Sequence, residues 1–258
     1  STTIGWNVAS YGESRQTVLR IVDSTLISIS DLTFDMDLVK GNFVHSGLIW
    51  NSTGSIDDCV FTNNQGSDTS GIYYEIGLYV RAPGFYDTSR ASFSVSDSIF
   101  EDAGRVAIVA HDFVDISITG NTFSKTEDDF GYAIELGSQS TGSISGNTFY
   151  GFDTAAASDG SESAAIYVEN SFTSGETSGI TKDVTISNNE IYDSQWGVVI
   201  GNEWAGYAGD VDIDLVLTGN NIHDNVNGGV LIADEGMDVG SSVTVTGSSN
   251  IITDNGDY

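Results

Sequence analysis

Proline occurs once in this chain, as Pro83, and cysteine once, as Cys59. So little proline excludes a proline-rich stalk or linker. A single cysteine excludes both an internal disulfide framework and a zinc site built from thiolates. Folding must then rest on packing and hydrogen bonds. Basic residues are scarce too: 8 Lys plus Arg face 37 Asp plus Glu, a net charge of −29. Such a chain cannot neutralise a row of phosphates, so nucleic acid is not an expected partner and anionic membrane surfaces are repelled. No apolar run reaches the length of a membrane span, so no membrane insertion is expected. The first residues, STTIGWNVAS, lack the basic start and apolar stretch of an export signal. The acidity suits an extracellular or cell-surface setting, one high in salt or rich in calcium. Calcium is accordingly the one cofactor the composition suggests.

What is present is repetition. ISITGNTF (116–123), GSISGNTF (142–149), VTISNNEI (184–191) and LVLTGNNI (215–222) are variants of one phrase. Aligned on the central apolar residue, the copies fall at Ile29, Ile56, Val95, Ile118, Ile144, Ile186, Leu217 and Val245. The steps between them are 27, 39, 23, 26, 42, 31 and 28 residues. Five residues after each anchor comes a second large apolar residue: Phe34, Phe61, Phe100, Phe123, Phe149, Ile191 and Ile222, displaced to Ile251 in the last copy. A near-constant phrase with variable spacers marks a solenoid, each repeat one coil and each insertion a loop.

Every coil carries a second apolar phrase: GLIW (47–50), GLYV (77–80), VAIVA (106–110), YAIEL (132–136), AAIYV (164–168), GVVI (197–200) and GVLI (229–232). Short alternating segments bounded by Gly, Asn, Asp and Ser read as strands. Each coil is therefore strand, tight turn, short strand, loop, strand. Three residues after the anchors stand Leu32, Cys59, Ser98, Asn121, Asn147, Asn189, Asn220 and Ser248. Asn tolerates left-handed backbone angles at a bend, and stacked amides can bond from coil to coil as a ladder. The recurrence assigns these asparagines to the fold, and Cys59, in the same column, to the turn or core.

On these ISxTGNTF-type repeats the sequence resembles the right-handed parallel β-helix proteins, the pectate-lyase-like superfamily, over roughly residues 18–255. The resemblance implies an all-β, right-handed parallel β-helix solenoid of about eight coils with an asparagine ladder. Both ends look cut, the last repeat stopping at TDNGDY before its second strand phrase, so the expectation is one domain spanning residues 1–258, a fragment of a longer protein with attachment to further domains. That superfamily includes polysaccharide lyases, glycoside hydrolases, epimerases, tailspikes and adhesive modules, so the fold does not choose among activities. No family catalytic motif is present; the epimerase Asp-Pro-His signature is absent.

In enzymes of this kind the cleft lies on the sheet built from the second apolar phrase. Insertions at 62–76, 81–92, 150–163 and 169–183 flank that phrase here. Alternation, with Leu48 and Trp50 taken as inward, gives two outward columns. One runs Ile49, Tyr79, Val109, Glu135, Tyr167, Val199, Leu231; the other Asn51, Arg81, His111, Gly137, Glu169, Gly201, Ala233. Polar and aromatic members gather in the four coils with the longest insertions: Tyr79, Arg81, His111, Glu135, Tyr167 and Glu169. Elimination on a uronate would use His111 as base, Arg81 to neutralise the carboxylate and Tyr167 as proton donor. Hydrolysis would use Glu135 and Glu169, about 8 Å apart at strand spacing, an inverting separation. Tyr79 and Tyr167 would bind sugar, with Trp196 and Trp204 as further stacking candidates.

Other candidates are weaker. DVDIDL (210–215) lacks the glycine and distal glutamate of a calcium loop and alternates like a strand. His45 is expected in a loop and His223 on an outer turn. The resulting expectation is a polysaccharide-engaging β-helix, a lyase or hydrolase if catalytic. The alternative is a non-catalytic adhesive or structural solenoid. The charge favours a neutral or calcium-bridged glycan over a free uronate.

Overall fold

The computed structural model describes residues 2–5, 16–36, 44–64, 75–82, 90–126, 130–154, 162–169, 181–201, 212–233 and 241–256. These form three parallel sheets, of eight, nine and eight strands. Each coil visits the sheets in turn. Val114–Thr119, for example, lies in the first sheet, Thr122–Ser124 in the second and Tyr132–Leu136 in the third. The solenoid follows from sequence arithmetic: no coil can bury its apolar face alone, and stacking neighbours makes the core continuous. No described helix is long and apolar enough to cross a membrane.

The interior is built in columns. Phe34, Phe61, Phe100, Phe123 and Phe149 are fully buried and stack face to face, with centroids 4.7, 4.6, 4.9 and 4.9 Å apart. That spacing is the strand separation itself, about 4.7–4.9 Å. Ile191 and Ile222 continue the column.

The asparagine ladder runs at the bend between the first and second sheets. Asn121, Asn147, Asn189 and Asn220 each donate Nδ2–H to the Oδ1 of the next asparagine at 3.0 Å. Each of these four amides also donates to a first-sheet carbonyl: those of Val95, Ile118, Ile144 and Ile186. Ser98 and Cys59 extend the column, Cys59 N–H donating to Ser98 Oγ. Burial raises the thiol of Cys59 above its ordinary pKa, as expected of an inert core cysteine.

The structure corrects several readings. Left-handed backbone belongs to the residue before each ladder position, not to the asparagine: Asp31, Asp58, Asp97, Gly120, Gly146, Asn188, Gly219 and Ser249 have φ between 47° and 72°. The ladder amide is thereby free to point inward. The last copy slips by two residues: Leu217 pairs with Gly247 and Ile222 with Ile252, so Asn250 rather than Ser248 closes the ladder. A second, shorter ladder, Ser194–Asn225–Asn255, occupies another bend. In the third sheet Ile49 pairs with Val80 and is fully buried, while Leu48 and Trp50 pair with Tyr79 and Arg81. The alternation in GLIW was therefore out by one residue, and Trp50 lies on the outer face. His45 sits buried in the strand Val44–Trp50, not in a loop. DVDIDL does form strand from Asp212 onward, Ile213 and Leu215 facing inward.

Candidate functional site: a histidine between two glutamates

The third sheet brings four strands into register at the candidate face. Tyr79, Val109, Glu135 and Tyr167 are consecutive partners in one column. Arg81 pairs with His111 in the next, and continuing the register places Gly137 and then Glu169 beyond it. Backbone bonds hold this second column: Gly137 N–H donates to Ala110 O at 2.9 Å and Glu169 N–H to Leu136 O at 3.0 Å.

His111, Glu135 and Glu169 converge, one ligand-type atom of each lying within 4.8 Å of the others. His111 Nε2 is 2.8 Å from Glu135 Oε1 and 3.9 Å from Glu169 Oε1. Side-chain exposures are 15%, 15% and 3%, so the cluster is sheltered but open at one side. His111 and Glu169 stand two strands apart and meet because Gly137, between them, has no side chain. A Cβ there would fall 2.4 Å from His111 Nε2 and 2.6 Å from Glu169 Oε1.

Tyr79 orients the imidazole from behind, its hydroxyl 3.3 Å from His111 Nδ1. Burial, the largest cause, pushes the Tyr79 phenol up to about 12, with Arg81 opposing. The phenol therefore keeps its proton, and the imidazole is held between Tyr79 at Nδ1 and Glu135 at Nε2. The buried His45 packs edge-on against Tyr79, centroids 5.5 Å apart.

Two charged residues missed in the sequence complete the surroundings. Arg81 is not part of the convergence: Nε donates to Asp112 and the guanidinium lies 5.4 Å over the Trp50 ring. Burial works against that charge, but the Asp112 pair outweighs it and holds Arg81 above its ordinary pKa. Lys182, wholly buried in the strand Thr181–Ser187, donates Nζ–H to the carbonyls of Leu136, Ser138 (3.3 Å) and Glu169 (2.6 Å). Burial pushes it down to about 7, while Glu169 and Glu135 pull the other way. Both residues had a visible signal. Lys182 and Asp112 occupy inward positions of their strands, paired with the buried Ile213 and Ala82, where a charge needs a partner.

Tyr167 does not present a stacking platform. It is 7% exposed, packs against Tyr132 at 5.0 Å, and joins Phe130, Val109, Trp196 and Val199 in a second apolar cluster outside the sheet. Trp196 is likewise buried, donating Nε1–H to Glu162. Trp204 and most of the flanking insertions fall outside the described residues. One oxygen of each glutamate lies within 4.8 Å of the other, closer than the roughly 8 Å given by strand spacing alone.

A solenoid of parallel strands with an internal amide ladder is the class of protein these features define. Residues 84–258, well over half of the chain, match the family described as the right handed beta helix region, and the chain belongs to that family. No curated protein matches it.

Proposed function

We propose that this β-helix engages polysaccharide along the outer face of its third sheet and cleaves it by acid–base chemistry at His111, Glu135 and Glu169. The observation that supports this is the convergence itself: three proton-transferring groups from three consecutive coils meet at a site sheltered from bulk water. Elimination on a uronate is disfavoured, because Arg81, its expected neutralising cation, is committed to Asp112. The close carboxyl pair and the net charge of −29 favour hydrolysis of a neutral glycan instead. An extracellular or cell-surface setting is part of this reading, supported by the net charge of −29.

The test is incubation of the chain with neutral and uronate polysaccharides, following reducing ends and unsaturated-sugar absorbance. New reducing ends from a neutral glycan are expected, falling by about 10²–10⁴-fold in Glu135→Gln and Glu169→Gln. Binding without cleavage would establish the adhesive alternative. Tight uronate binding that survives a chelator at low salt would overturn the neutral-glycan preference.

A further inference from the structure

We infer that His111, Glu135 and Glu169 form a site for one first-row divalent cation, of which zinc is the representative probe. A neutral imidazole and two carboxylates carry a charge of −2, which such an ion balances. With zinc bonds near 2.0–2.2 Å, ligand atoms in a tetrahedral site stand about 3.4 Å apart. The contacts here, 2.8 and 3.9 Å from His111 Nε2 and at most 4.8 Å overall, bracket that value.

Three features support a built site. The ligands come from consecutive coils, His111 and Glu135 within strands of the third sheet and Glu169 at the residue after Ala164–Val168, 2% exposed. Gly137 is required between them, since a Cβ there would clash with both His111 Nε2 and Glu169 Oε1 and keep the two groups from approaching each other. The support behind the histidine is also in place: with Nε2 bound to metal the ring N–H is at Nδ1 and donates a hydrogen bond to Tyr79 Oη, 3.3 Å away. Calcium fits less well, since it takes six to eight oxygen ligands and the third ligand here is a nitrogen. Three protein ligands leave a position for water or a sugar hydroxyl.

The site uses the residues of the proposed function, and a group bound to metal is not available for proton transfer; the readout is metal content, which needs no glycan cleavage. The chain is dialysed against zinc in high salt, which screens diffuse attraction to the acidic surface, and bound metal is counted. One equivalent is expected, with affinity reduced at least about tenfold in His111→Ala and in Gly137→Ala. Melting of the metal-free variants checks their fold, and Glu169→Gln serves if Gly137→Ala is unfolded. Retention of the equivalent in folded His111→Ala, or none in the parent chain, would overturn the site. Displacement of zinc by calcium at equal concentration would overturn the choice of cation.

Discussion

His223 shows how much a residue's partners matter beyond its place in the chain. It lies at the end of the strand Asn221–His223, its ring stacked on Tyr192 at 5.4 Å. Nδ1 is 2.7 Å from Asp224 and Nε2 2.8 Å from Glu190. These two bonds, Asp224 first, raise its pKa above the ordinary 6.5. A raised folded-state value means that the charged form is the stabilised one. The contribution is therefore present below pH 6.5 and is lost as pH rises through the higher folded value. Glu190 and Asp224 are 44% and 59% exposed, so solvent screens the pair and its worth is about 0.2–1 kcal/mol. Urea melts of His223→Gln should show that loss at pH 5.5 and none at pH 9. Equal losses at both values would mean that the ring acts by stacking alone.

Among the structural elements, the bend after each first-sheet strand carries the most information. A left-handed residue turns the chain, and the following asparagine donates both amide hydrogens within the protein. Asn147 Oδ1 also accepts from the backbone N–H of Asn121 at 2.8 Å. Replacing Asn147 by Leu would strip partners from buried groups on both neighbouring coils. A loss of about 1–3 kcal/mol in denaturant stability is expected. An unchanged midpoint would show that the ladder follows from coil stacking rather than supporting it.

At the scale of the whole molecule, the net charge of −29 sets a repulsion that local packing must overcome. Acidic residues also stand in register between coils, as with Asp183 and Asp214, where like charges oppose stacking. Screening should relieve this. Thermal melts in low salt, in sodium chloride, and in calcium chloride of matched ionic strength should rise in that order if calcium binds at discrete sites. Sodium and calcium curves that coincide above the low-salt curve would leave screening alone. Three identical curves would reject both effects.

The sequence by itself determined the period, the strand alternation, the phenylalanine column and most of the asparagine ladder. These repeat with every coil, and each copy confirms the others. It also brought His111, Glu135 and Glu169 to one face, because two-residue alternation and coil spacing suffice for that. Tertiary structure alone decided the pairing between coils, since parallel register is set by contacts about thirty residues away in sequence. Hence Ile49 and Trp50 exchanged faces, and the last coil slipped to Asn250. Tertiary structure also decided what lies against each outward side chain. It tied Arg81 to Asp112, covered Tyr167 with apolar neighbours, and set the buried Lys182 behind Glu169. Those contacts join residues from different sheets or coils at unrelated positions in the repeat, where no periodicity reaches.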